Sequence, residues 1–427
     1  MDELHTLDWY SDPSLIPDPF PYYEACRAQG PIFREPNHGV FVVTGYEEIC
    51  AVYRDVASFS SANSSSGPFP PLPGAPYGDD VGGLIDQFRH QYSSPDSLVS
   101  EDPPLHTDHR GLLMRLMTPK RLAENEAFMW RLADQRIDTF VDRGACDFVG
   151  EYARPFSMLV IADLLGVPEE DQVTLRALFD QAGAPGKVGQ DLPANPIAFL
   201  DDFFLEYVLD RRANPRDDVL TKLATNTFAD GRLPEPMEAV NVATILFAGG
   251  QGTVARFLGN MVRHLAEHPE TQLELRDDRG LIPTFVEEML RYDSPVKLNQ
   301  RLARRTTTVG GVTVPAGSTV LLLLPAGDRD PRHFKCPVEF DPQRDNVREH
   351  VAFGRGIHSC PGAPLVRADA KVTLERILDR IADIRISDAH HGPPGARRYE
   401  YTNTYILRGV DALHIEFSSV TARTTGM

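Results

Sequence analysis

The stretch Phe353-Gly354-Arg355-Gly356-Ile357-His358-Ser359-Cys360-Pro361-Gly362 constrains the fold more than any other part of the chain. Glycine tolerates left-handed dihedrals and lets backbone N–H groups come close to a neighbouring atom. The residues after it, Ala363 to Ala368, read as a helix. Cys360 therefore lies near a helix N-terminus, where the dipole lowers a thiol pKa. A thiolate held in such surroundings is a soft, electron-rich metal ligand. A buried structural cysteine in a loop is the ordinary reading of a lone cysteine. The phenylalanine, histidine and glycines at fixed offsets favour the ligand instead.

Composition narrows the classes around that site. Among 427 residues, Lys plus Arg number 43 against 61 Asp plus Glu, a net charge of −18. This argues against general nucleic-acid binding and against adhesion to an anionic membrane, while leaving room for a local basic patch. The five cysteines, Cys26, Cys50, Cys146, Cys336 and Cys360, are odd in number and lack metal-like spacing. That pattern fits a reducing compartment and not a disulfide framework. No basic leader opens the chain, and apolar runs such as Val320 to Leu324 are far too short to span a bilayer. A cytoplasmic protein is expected.

Two further stretches carry chemistry. His106 and Arg110, four residues apart, share one face of a helix opening near Asp102. Two cationic-capable groups on one face suit an anionic cofactor group, although an exposed polar face has the same signature. Glu235 to His268 carries one long helical pattern with Ala248-Gly249-Gly250-Gln251-Gly252-Thr253 at its centre. Each glycine inside a helix costs about 1 kcal/mol relative to alanine. Keeping three implies close approach or local distortion, or else a break into two helices.

The remaining pattern is mostly helical. Tyr22 to Gln29, Tyr46 to Arg54, 123–143, Phe148 to Leu165, Glu169 to Ala182, Ala198 to Arg212 and Thr284 to Tyr292 read as helices. Ile32 to Val43 reads as a hairpin, Gly310 to Gly317 as a tight hairpin leading into the strand Val320 to Leu324, and the tail from Tyr399 to Phe417 as another hairpin. Residues 60–101 are rich in Ser, Gly and Pro, the mark of a functional loop or a linker. A second loop, 183–195, carries glycines that would permit opening.

The Cys360 decade closely resembles the haem-ligand signature of the cytochrome P-450 family, and several weaker motifs follow in the family's order along nearly the whole chain. The resemblance implies a mainly α fold with small β-sheets, a triangular helical bundle plus a β-rich region, as one haem domain over residues 1–427. It implies haem b, with Cys360 as the iron ligand in the loop 353–362, near Phe353 and Gly362. His106, Arg110, Arg301 and His358 would hold the propionates. Glu288, Arg291 and Arg344 would form a buried structural ion triad. Residues 60–101 would contact substrate, 183–195 would form a lid, and 235–268 would be the distal helix.

On that helix the family places an acid–threonine pair that delivers protons to dioxygen. Thr253 matches the threonine, but Gly252 stands at the acid position, with the neutral Gln251 beside it. Some other relay of waters, substrate or a nearby acid is then required. Ala248, Gly249, Val296, Lys297, Thr404 and Tyr405 would border the substrate pocket. Lys297 would pair with an acidic substrate group, or else lie on a propionate or in solvent.

The implied reaction is monooxygenation of a small organic substrate by dioxygen, of the hydroxylation or O-dealkylation type. With no flavin or iron–sulfur segment in the sequence, electrons would come from a small ferredoxin and its NAD(P)H-dependent reductase. Arg115, Lys120, Arg348 and Arg367 would form the docking patch on a monomeric enzyme. A peroxide-driven enzyme on the same fold, and a non-catalytic haem-binding sensor, are the competing readings.

Overall fold

The computed structural model describes residues 3–420, apart from 65–66, 68–71, 76, 93–95, 183–186, 191–194 and 196. Its axis is one unbroken 32-residue helix, Pro236–Glu267. Proline in its first turn and a reciprocal capping box between Glu235 and Glu238 satisfy the leading amides. The helix carries a long series of fully buried apolar side chains, among them Phe247, Phe257 and Met261. Arg154–Leu165, Asp201–Ala213 and the π-turn Val149–Ala153 pack against it, so it runs through the largest hydrophobic core.

The three central glycines of this helix differ in what surrounds them. A Cβ on Gly250 would lie 3.2 Å from Ile161, so Gly250 lets the Arg154–Leu165 helix approach. Gly249 faces open space, and a Cβ on Gly252 would lie 3.2 Å from the Arg256 guanidinium. The helix is continuous, and Gly250 and Gly252 mark contacts along it.

A five-stranded sheet packs beside the helical part in the order Ile32–Arg34, Phe41–Val43, Thr319–Leu323, Leu298–Ala303, Phe59–Ser60. All its pairs are antiparallel except Phe41–Val43 with Thr319–Leu323, which runs parallel. Thr307–Val309 and Val312–Val314 form a hairpin whose turn residues Gly310 and Gly311 have φ of +53° and +81°. Loop 353–362 leads into Ala363–Arg380, a helix against Pro119–Asp138 and Ile282–Tyr292.

Several boundaries differ from the sequence reading. Pro119–Asp138 begins earlier because Thr118 caps it and Pro119 occupies its first turn. The tail is not one hairpin. His414–Ser419 pairs with Ile381–Ile386 and Ala145–Asp147, while residues 399–410 contribute only single bridges, Val296 to Leu407 and Tyr401 to Val410. Most of the loop 183–195 and part of 60–101 lie outside the described residues. No helix among the described residues is long and apolar enough to cross a membrane.

Candidate active site

The Cys360 loop is shaped by two left-handed glycines. Gly354 and Gly356 have φ of +64° and +69°. A Cβ on Gly356 would come within 2.5 Å of the Tyr53 carbonyl oxygen, so this turn excludes any side chain. The Cys360 amide donates to the Phe353 carbonyl at 2.8 Å, closing the loop just before the helix that starts at Ala363.

Burial pushes the Cys360 thiol up, while the amides of Gly362 and Ala363 and the charges of Arg110 and Arg367 pull it down. The lowering expected from the helix N-terminus is thus present but outweighed by the loss of solvent around the thiol. A bound metal reverses that balance, since a coordinating thiol gives up its proton.

Around the loop stands a set of buried and half-buried cationic-capable groups. Arg110 Nη2 donates to the Ser359 carbonyl at 2.7 Å. Arg301 Nη1 donates to the Gln300 carbonyl at 2.6 Å, with its guanidinium 5.1 Å over the Tyr53 ring. Among the described residues no carboxylate pairs with either arginine. The His106 and His358 rings lie 4.0 Å apart, and His358 Nε2 is 3.0 Å from Ser61 Oγ.

Burial, with Arg110 next, holds His106 down to about 4. Burial, then Arg301, His106 and Arg110, holds His358 down to about 2. His106 Nε2 is buried without a partner. A buried arginine and a half-buried one without a carboxylate partner among the described residues, two suppressed histidines and an orphaned ring nitrogen are costly alone and are relieved by an anion. The donor set fits an anionic cofactor, which these residues would hold beside Cys360.

A cavity of about 300 Å³ lies between this loop and the long helix. Arg110, Arg301, Phe353, His358, Cys360 and Gly362 line one side, and Gly249, Gly250 and Thr253 the other. The rest of its wall is mainly apolar, including Leu98, Leu113, Ile161, Ile245, Phe257 and Val296. Thr253 Oγ1 donates to the Gly249 carbonyl at 2.7 Å, which turns the hydroxyl oxygen's lone pairs away from the helix ladder.

Gln251 and Gly252 do not line this cavity, and the Gln251 carbonyl accepts from Ser157 Oγ at 3.1 Å.

Four expected pocket residues lie elsewhere. Lys297 Nζ donates to the Thr404 carbonyl at 2.7 Å and sits 5.2 Å over the Trp9 ring. It faces neither the cavity, the cationic set nor solvent, because strand alternation turns Val296 inward and its neighbour outward. Thr404 and Tyr405 are buried behind it, with Tyr405 OH on the Gly67 carbonyl at 2.7 Å and its ring against Tyr10. Ala248 packs against the helical core and does not line the cavity.

Glu288, Arg291 and Arg344 meet in one buried cluster. Arg291 Nε and Nη2 each reach a Glu288 oxygen at 2.7 Å, and Arg344 Nη2 lies 3.5 Å from Glu288 Oε1. Of the basic surface residues, Arg115, Lys120 and Arg348 are exposed. Arg367 is engaged with Glu287 at 2.5 and 2.9 Å and covers the Phe353 ring, so it is a scaffold contact and not a free charge.

Two residues were not singled out from the sequence. His109 bridges Glu101 at 2.7 Å and Glu238 at 3.5 Å, tying the Leu105–Leu116 helix to the start of the long helix. Arg256 Nη1 donates to the Gly252 carbonyl at 2.7 Å. The one local signal for Arg256 was an arginine within an apolar helical run.

The comparisons with known proteins agree with this geometry. The family model described as Cytochrome P-450 matches residues 194–381. A cyclomarin C epoxidase of Salinispora arenicola is 34% identical over 92% of this chain and 94% of its own. The cytochrome P-450 monooxygenase PikC of Streptomyces venezuelae is 30% identical over 94% and 91%. A Mycobacterium marinum cytochrome P-450, solved in the substrate-free form, is 51% identical with a TM-score of 0.91, covering 98% of this chain and 100% of that one. With a cysteine-bearing loop, a cationic cradle and a distal helix around one cavity, the chain belongs to the cytochrome P-450 family of haem-dependent monooxygenases.

Proposed function

We propose that this monooxygenase binds haem b through Cys360 and oxidises a small, largely apolar organic molecule by hydroxylation or O-dealkylation. The observation that carries the reading is the apolar cavity with Cys360 on one wall and Thr253 on the other. His106, Arg110, Arg301 and His358 take the propionates, and Phe353 and Gly362 border the ring. Haem supplies the redox chemistry that splits dioxygen, with thiolate ligation favouring O–O cleavage. Thr253 holds a proton donor at the cavity wall. Gly249 and Val296 contact substrate, while Lys297, Thr404 and Tyr405 take no part in recognition. Glu288, Arg291 and Arg344 brace the haem-binding core of one domain spanning the chain. A small ferredoxin and its reductase supply electrons, docking through exposed Arg115, Lys120 and Arg348.

Cys360→His tests the foundation. The wild-type protein should show the strongly red-shifted Soret band of its reduced carbonyl complex, and the variant should lose it. Retention of that band in the variant would exclude Cys360 as the ligand. Substrates are then found by their low-spin to high-spin shift. The glycine at 252 supports one competing reading, a peroxide-driven enzyme. Turnover with peroxide alone, and none with ferredoxin, reductase and NAD(P)H, would select it.

A further inference from the structure

The acid position of the distal helix is empty of a carboxylate but not of charge. A Cβ on Gly252 would meet Arg256 Nη1 at 3.2 Å, and that same nitrogen donates to the Gly252 carbonyl at 2.7 Å. On the other side, a Cβ on Gly409 would fall 2.5 Å from Arg256 Cγ and 2.6 Å from its Cβ. Two glycines, 157 positions apart in the chain, thus form the walls of a slot for one arginine.

The guanidinium is not matched by a carboxylate. Among the described residues Arg256 forms no ion pair, and its Nε is buried without a partner. Its other end, Nη2, reaches Thr402 Oγ1 at 3.3 Å. Thr402 Oγ1 donates to Asp411 Oδ1 at 2.7 Å, and Asp411 is about half exposed beside Arg154. A hydrogen-bonded line therefore runs from the peptide just before Thr253 to a surface carboxylate. Arg256 is half-buried with its Nε closed off from water, and desolvating a cation without an ion-pair partner is costly, so packing alone would favour an apolar side chain in such a slot.

We propose that Arg256 is the positioning residue that replaces the distal acid. It holds the Gly252–Thr253 peptide, and with Thr402 and Asp411 it orders the water that supplies protons on the Thr253 side of the cavity. The proposal rests on the haem-monooxygenase reading above. It has a second consequence: an acid introduced at 252 would be captured by Arg256 as an ion pair and would not act as a proton donor.

The test uses the haem-loaded enzyme with a surrogate ferredoxin and reductase. Arg256→Gln should lower product formed per NAD(P)H consumed at least threefold and change the solvent isotope effect. Peroxide-driven turnover, which brings its own protons, should fall much less. Arg256→Lys, which keeps the charge, should recover most of the loss and also guards against a folding defect. Gly252→Asp alone should not raise the product ratio, whereas Gly252→Asp combined with Arg256→Gln should.

Amide exchange over residues 249–257 of the same protein gives a readout independent of turnover, and it should rise in Arg256→Gln. An unchanged product ratio and isotope effect in Arg256→Gln, or a gain from Gly252→Asp alone, would overturn the proposal. Absence of the red-shifted carbonyl band from the wild-type protein would instead sink the haem reading on which it rests.

Discussion

Arg291 and Glu288 form a two-pronged ion pair with both side chains fully buried, each N···O distance 2.7 Å. Three residues apart on the Ile282–Tyr292 helix, they would be worth little at a surface. Here every remaining donor of Arg291 is spent on backbone carbonyls: Nη1 on Asp328 and Pro337, Nη2 on Glu339. Glu288 Oε1 in turn accepts from the Asp341 amide at 2.8 Å. The pair ties the helix to the irregular segment that precedes the Cys360 loop, and neither side chain lines the cavity.

Removing one partner leaves the other buried and unpaired. Arg291→Ala should therefore lower unfolding free energy by about 3–5 kcal/mol. Arg291→Lys should rescue little, because an ammonium cannot span two carboxylate oxygens and three carbonyls. Urea unfolding of the three proteins checks this; a loss below about 1 kcal/mol, the range of an exposed pair, would contradict it.

Thr253 presents a different expectation. Its hydroxyl donates to Gly249 within the same helix, a contact of small net worth. Thr253→Ala should change stability by no more than about 1 kcal/mol. Product per NAD(P)H consumed should nevertheless fall several-fold, since the hydroxyl lines the cavity opposite Cys360. Parallel melts and product-to-cofactor ratios separate the two effects, and an unchanged ratio would remove Thr253 from the proton path.

What could be read from the sequence follows from the range of the interactions. The Cys360 turn is local: Gly354 and Gly356 take the left-handed dihedrals that only their own decade requires. The long helix is legible because its apolar period and its capping residues lie within the segment. Lys297 was misread because a one-residue change of register reverses which face of an extended segment it occupies. His109 and Arg256 depend on partners far along the chain, Glu238 and Thr402, which no window of local pattern contains.

His109 should act as a pH-dependent strut. Burial lowers its affinity for a proton, but the hydrogen bonds and charges of Glu101 and then Glu238 outweigh it and raise its pKa. A histidine whose folded pKa exceeds its unfolded value of 6.5 gives stability that is fully present below that value and lost as pH rises through the folded pKa. His109→Gln should therefore be most destabilised relative to wild type near pH 5. The gap should narrow steadily as pH increases from 6.5 upward. Melting curves across pH 5 to 9 measure it; a constant gap would show that His109 contributes packing alone.

Lys297 should behave in the opposite sense. Burial, with the nearby Arg408 charge second, brings its amine down from 10.5 to about 7. The unfolded chain then binds more protons than the folded one between about 7 and 10.5, so this group makes stability rise with pH across that window. Below it the buried ammonium is a net burden, only partly offset by the Thr404 carbonyl and the Trp9 ring. Lys297→Met should accordingly melt higher than wild type at pH 6, with the gain shrinking toward pH 10. Because the amine points away from the cavity, substrate-induced spin shifts should titrate with unchanged affinity in the variant. A Lys297→Met protein that melts lower at pH 6 would mean the Thr404 bond outweighs burial, and a weakened spin-shift affinity would return Lys297 to the substrate pocket.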